Sequence, residues 1–79
     1  MTIPTHAILM ESATLAAAAY DDRRALLQLQ FQDGTCYQYT GVSTSVFRQL
    51  LSADSKGSFF NRSIRDSFPY VRLKRCALI

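Results

Sequence analysis

The chain has 79 residues, with nine Lys or Arg against six Asp or Glu and a net charge of +3. That length implies one domain with a thin core, since a chain near this size buries only roughly 60–65% of the surface its unfolded form exposes, which leaves room for a homo-oligomer or a partner to add stability. A hydrophobic content of 48% with 19% charged residues excludes an intrinsically disordered chain, and no apolar run reaches membrane-spanning length.

Residues 1–9 lack a clear period and read as an N-terminal lead-in. Pro4 and His6 interrupt it and no Lys or Arg precedes Arg23, a pattern that speaks against a secretory signal and for a cytoplasmic protein. From Met10 to Tyr20, the run Ala16 to Ala19 has high helix propensity, and propensity alone writes a helix from Ser12. Asp21-Asp22 supplies a turn. Ala25 to Phe31 alternates, with Leu27, Leu29 and Phe31 on one side, and Thr35 to Thr40 alternates again, with Tyr37 and Tyr39 on one side. These are two half-buried strands joined through Gln32-Asp33-Gly34.

The register of this hairpin decides where the tyrosines point. A two-residue Asp33-Gly34 turn sets Phe31 opposite Cys36 and turns both tyrosines to the side of Gln28 and Gln30. A three-residue loop, with Gly34 in the left-handed conformation, sets Phe31 opposite Thr35, Leu29 opposite Tyr37 and Leu27 opposite Tyr39. Only the second gathers the apolar set on one face, and a one-residue slip exposes half of it. The three-residue loop is therefore expected.

Gly41 ends the strand. Ser43 is a good N-cap, and Val42 before it is placed to staple to Phe47. Val46, Phe47, Leu50 and Leu51 give the apolar stripe of a short helix over 44–53. Asp54 or Ser55 caps a second helix over 56–66, which stops before Pro69. At 100° per residue, Phe59, Phe60, Ser63 and Ile64 share one side of it and Ser58, Asn61, Arg62 and Arg65 the other. The segment from Pro69 to Arg75 alternates weakly, as an extended tail or an edge strand. The architecture expected is α+β: a three-stranded antiparallel sheet with two short helices on one face.

These pieces, in this order, resemble the KTSC domain, a bacterial and phage module named for its occurrence at the C-terminus of some lysyl-tRNA synthetases. The resemblance rests on Ser12-Ala13-Thr14-Leu15 leading to Tyr20-Asp21, then Leu27-x-Leu29-x-Phe31, Asp33-Gly34 and Tyr37-Gln38-Tyr39. It continues through Gly41-Val42, Phe47-x-x-Leu50-Leu51, Asp54-Ser55-Lys56-Gly57 and Phe60-Asn61-x-x-Ile64-Arg65. It spans residues 10–70, leaving 71–79 as a basic C-terminal tail. Ser43 departs from the proline many relatives carry, and both residues suit a helix start. The resemblance implies that 12–20 form a first strand despite the alanines, beside strands at 25–31 and 35–40. It also implies a setting close to RNA.

Charge is unevenly spread. Residues 1–40 carry two arginines against four carboxylates, whereas residues 41–79 carry seven basic residues against two acidic ones. A basic half favours an anionic partner, RNA or other nucleic acid, with a protein partner as the alternative. Lys56, Asn61, Arg62, Arg65, Arg72, Lys74 and Arg75 are the candidate nucleic-acid contacts. Asp66, four residues after Arg62, is placed to pair with it on an ordinary solvated helix face.

The helix start at Ser55, Gly57 and Ser58 is a candidate anion site, because first-turn N–H groups lack internal partners. The competing reading makes Ser55 a cap, Gly57 a packing residue and Lys56 a cover for apolar surface. Tyr37 and Tyr39 are candidate aromatic contacts to bases or rim packing residues. Catalysis has thin support: His6 is the one histidine, and no metal-ligand spacing or cofactor motif exists. Cys36 and Cys76 form no disulfide framework. They read as two cytoplasmic thiols, with their pairing left open.

Overall fold

The computed structural model describes residues 8–9 and 12–74. An antiparallel sheet runs in the order β1 (Ile8–Leu9), β2 (Leu15–Asp21), β3 (Leu26–Phe31), β4 (Cys36–Thr40) and β5 (Tyr70–Leu73). Between β4 and β5 lie helix α1 (Thr44–Ser52), helix α2 (Lys56–Phe59) and a π-helical turn over Phe60–Ile64. The α+β architecture is as expected, but the sheet has five strands, not three. Ile8 and Leu9, read as lead-in, pair with Ala18 and Ala17 at one edge. At the other edge Tyr70 to Leu73 pair with β4.

Strand β2 shows why propensity misleads at its alanines. Ala17, Ala18 and Ala19 are all at most 2% exposed, because β2 lies between β1 and β3 and is covered on both faces. A strand flanked this closely rewards small side chains, and tertiary burial overrides an intrinsic preference of a few tenths of a kcal/mol per residue. A bulge between Leu15 and Ala17 shifts the register. The extra residue puts Leu15 on the same face as Ala18 and Tyr20, which strict alternation forbids.

The β3–β4 hairpin has the expected register. Leu27 lies opposite Tyr39 and Leu29 opposite Tyr37. Phe31 N–H donates to Thr35 O at 2.8 Å, closing a three-residue loop in which Gly34 has φ +92°. The Asp33 carboxylate accepts from the Thr35 N–H at 2.9 Å and from its hydroxyl at 2.7 Å. These bonds, the backbone one first, hold the Asp33 carboxyl below the usual carboxylate range.

The core forms between one sheet face and the helical layer. It is built from Leu15, Leu27, Leu29, Val42, Leu50 and Ile64, all fully buried, with Tyr20, Tyr39, Phe59 and Phe60 nearly so. Each such leucine contributes about 1.5–3 kcal/mol of burial. Ser43 caps α1 by accepting from Val46 N–H at 3.3 Å, as the sequence indicated. Tyr20 fixes the approach to that helix: its ring stacks on Phe47 at 4.7 Å and its hydroxyl donates to Val42 O at 2.6 Å.

The opposite sheet face carries Gln28 and Gln38, hydrogen-bonded at 3.0 Å, and Cys36, which is 1% exposed. Cys36 is disulfide-bonded, not the thiol expected. Cys76, the other cysteine of the chain, lies outside the described residues, as do His6, Glu11 and Arg75. No helix of the described residues is long and apolar enough to cross a membrane.

Candidate functional site

The second helical segment departs from the single α-helix expected over 56–66. Ser55 is its cap, accepting from Ser58 N–H at 3.3 Å, and regular α geometry lasts only to Phe59. The chain then widens, and Arg65 N–H donates to Phe60 O at 2.9 Å across five residues. Such π turns recur at functional sites because they re-aim side chains that a regular helix would spread evenly.

The widened turn splits the outward row of Asn61, Arg62 and Arg65. Arg62 turns toward α1, with its guanidinium 6.0 Å from the centroid of the Phe59 ring, beside Gln49 and Ser52. Asn61, Arg65 and Asp66 instead line a cavity on the other flank. The expected Arg62–Asp66 pair does not form, because the helical segment ends at Ile64 and Asp66 lies in the turn beyond it. Among the described residues the one ion pair is Arg24–Asp21, at 2.7 Å.

That cavity has a volume of about 410 Å³. Phe31 and Phe60 form its apolar base, meeting edge to face at 5.2 Å. Tyr37, Tyr39 and Tyr70 form a second wall. Their rings touch in a continuous cluster, Tyr70 lying 5.5 Å from Tyr37 and 5.4 Å from Tyr39. Thr14, Asp33 and Thr35 close the end nearest the hairpin tip. Tyr70 reaches this cluster because β5 places it opposite Tyr39 and sets Arg72 opposite Tyr37. Opposed residues in a sheet share a face.

Tyr39 is the most informative member. It is 2% exposed and lines the cavity, and its hydroxyl makes no hydrogen bond among the described residues. The similarly buried Tyr20 spends its hydroxyl on Val42 O. Burial, with Tyr70 and Tyr37 nearby, pushes Tyr39 up to about 12. Its phenol therefore stays protonated and able to donate at neutral pH.

The other sequence candidates divide. Lys56 donates from Nζ to Ala53 O at 3.0 Å, so its ammonium satisfies a carbonyl at the end of α1. Ser55 also donates its hydroxyl to Ser58 Oγ at 3.0 Å. Gly57 is buried, and a Cβ there would meet Thr14 Oγ1 at 2.8 Å. It lets the helix approach the start of β2, not the other helix, and so seats Phe60 over Phe31. Arg72 and Lys74 are exposed. Tyr37 and Tyr39 serve both readings, since they pack under the helices and line the cavity.

Sequence reasoning missed Asp33, Asp66 and Tyr70 as site residues. Tyr70 had a signal in the Tyr70-x-Arg72 alternation. Asp66 had none, because 3.6-residue spacing directs it to Arg62.

Residues 11–68 match the family model of the KTSC domain. A protein of Tsukamurella paurometabola is 39% identical over 64 residues, covering 81% of this chain and 96% of that one. The lysine–tRNA ligase of Nostoc sp. contains a stretch 33% identical over 63 residues, which is 80% of this chain but 11% of the ligase. The crystal structure of a KTSC domain protein from Yersinia pestis superposes with a TM-score of 0.82 at 30% identity, covering 87% of this chain and 97% of that one.

Proposed function

The chain belongs to the KTSC domain family, and from that premise we propose that it is a non-catalytic module that binds RNA. The observation that carries the reading is the cavity itself. Three clustered tyrosines, the Tyr39 hydroxyl and Arg65, the last two unpartnered among the described residues, converge on one open hollow. Aromatic faces accept unstacked bases at about 1–3 kcal/mol each, and arginines beside them hold the backbone by releasing counterions from phosphate. Arg65 lines the cavity, Arg72 lies opposite Tyr37 beside it, and the exposed Arg62 and Lys74 add positive charge elsewhere on the surface. RNA takes precedence over DNA because a stretch of similar length and sequence lies within enzymes named as lysine–tRNA ligases.

Fluorescence anisotropy with labelled tRNA and single-stranded RNA across a salt series tests this. Binding is expected to weaken steeply with salt, and Arg62→Ala with Arg65→Ala and Arg72→Ala is expected to abolish it. No binding at low salt, or full binding by the triple variant, sinks the proposal.

A protein-interaction role has one observation in its favour. Tyr70 and Val71 are 54% and 56% exposed on edge strand β5, where an extended peptide can add by main-chain pairing. Pull-down with and without nuclease separates the two: a partner that survives nuclease supports the peptide reading.

A further inference from the structure

The cavity's polar groups favour one base over the others. Asp66 offers a carboxylate and Arg65 a guanidinium, adjacent in sequence and both lining the same hollow. Neither is held by an ion pair or side-chain hydrogen bond among the described residues. Both charges bear on the Tyr39 hydroxyl: Arg65 favours its ionised form and Asp66 opposes it. A single ligand that pairs bidentately with both presents two neighbouring donors to the carboxylate and two neighbouring acceptors to the guanidinium.

Among the four RNA bases guanine alone does so. Its N1–H and N2–H2 form a donor pair, and its O6 and N7 form the acceptor pair that arginine reads bidentately. Adenine alternates a single amino donor with ring acceptors. Cytosine has the acceptor pair but one donor group, and uracil has one N–H between separated carbonyls. A volume of about 410 Å³ falls within the ~300–1,000 Å³ range of small-ligand pockets, and the tyrosine cluster supplies a face for a purine to stack on.

A second hollow, beside Arg62, lacks such a set. Its Ser55 and Ser58 hydroxyls bond each other. We propose that the cavity is a subsite for an unstacked guanine presented by single-stranded RNA, with Asp66 holding the N1–H and N2–H2 edge, Arg65 the O6 and N7 edge, and Tyr39 donating alongside. The proposal rests on the RNA-binding reading and adds a base preference to it.

The test uses short oligouridylates carrying one central G, A or C, together with free GMP. Binding is read by anisotropy of the labelled strand and by quenching of the protein's own tyrosine fluorescence, which no tryptophan obscures. The G strand is expected to bind about tenfold tighter than the A strand, the discrimination of one bidentate base contact. Asp66→Asn, at an exposed position, is expected to erase that preference while leaving the salt slope unchanged, because Asp66 touches no phosphate. Tyr39→Phe, which removes only an unpartnered hydroxyl, is expected to weaken the G strand by several-fold and the others less.

Equal binding of all strands overturns the guanine subsite and leaves RNA binding standing. A G preference that survives in Asp66→Asn also overturns it. Quenching by GMP with no strand bound keeps a guanine site and overturns RNA as its source. No binding of any strand or of GMP overturns both proposals.

Discussion

Replacing Gly57 by alanine separates the two meanings of the helix start. On propensity alone the change stabilises, because alanine is favoured over glycine in a helix by about 1 kcal/mol. The structure reverses the sign. A Cβ at position 57 would lie 2.8 Å from Thr14 Oγ1 and 3.1 Å from Thr14 Cβ. Rotation of the threonine relieves the first contact but not the second, since Cβ is anchored to the backbone, so the helix must lift from the start of β2. Overpacking of this kind costs about 1–3 kcal/mol. The net expectation is a loss of up to about 2 kcal/mol, at roughly 4–8 °C in Tm per kcal/mol for a domain of this size.

The assay is a thermal and urea double-mutant cycle with Thr14→Gly, which deletes every atom the new methyl would strike. In that background Gly57→Ala is expected to be neutral or stabilising. Equal cost in both backgrounds, or stabilisation of the parent, refutes the packing role. RNA affinity of the double variant then speaks to the anion reading. Lost affinity with restored stability returns Gly57 to the ligand.

Three further outcomes follow from named groups. Ala25 has φ +54° without being glycine, a conformation costing roughly 1–2 kcal/mol for an L-residue, so Ala25→Gly is expected to raise stability by about 0.5–1 kcal/mol in urea denaturation. Asp21 is held low by the Arg24 side chain first, then by the Arg24 and Arg23 N–H groups. Its contribution is full above the ordinary carboxylate value and is lost as pH falls through the depressed folded value. Asp21→Asn should therefore destabilise at neutral pH and flatten the acid limb of a Tm-versus-pH curve; an unchanged limb contradicts the assignment. Tyr39, pushed up to about 12, is expected to be missing from the tyrosinate absorbance gained between about pH 9 and 11, the span of an ordinary phenol, and Tyr39→Phe should leave that part of the titration unaltered.

How legible each part was depended on whether one physical effect dominated. The β3–β4 register was legible because any slip turns Leu27, Leu29, Tyr37 and Tyr39 away from the core together. The cap at Ser43 was legible because a hydroxyl before an apolar run has little else to satisfy, whereas for the second helix the sequence left Asp54 and Ser55 as equal candidates and the structure picks Ser55. The alanines of β2 were not, since burial on both faces is invisible to local propensity and only the family resemblance supplied the strand. Strand β1 is two residues long, with no period to detect. The cavity was half visible: Tyr37, Tyr39, Asn61 and Arg65 stood out as residue types. Their convergence depends on the π turn and on the pairing of Tyr70 with Tyr39, neither of which a 3.6- or 2-residue period encodes.

The π turn also explains why the conspicuous stretch from Lys56 to Arg65 resists a division into core and site. Phe60 and Ile64 are 4% and 0% exposed, and they anchor the two ends of the turn in the core. Phe60 meets Phe31 at 5.2 Å and Tyr39 at 5.7 Å, both edge to face. The ring that closes the core is thus also the base of the cavity, and truncating it would cost about 3–5 kcal/mol, a large share of the roughly 5–15 kcal/mol available to a domain. Substitutions at Phe60, Phe31 or Ile64 therefore report on folding before they report on any ligand. Arg65, Asp66 and the Tyr39 hydroxyl can isolate function, because their polar groups hold nothing else together among the described residues. A change in binding from those three, at unchanged stability, distinguishes a working cavity from a by-product of closing a small core.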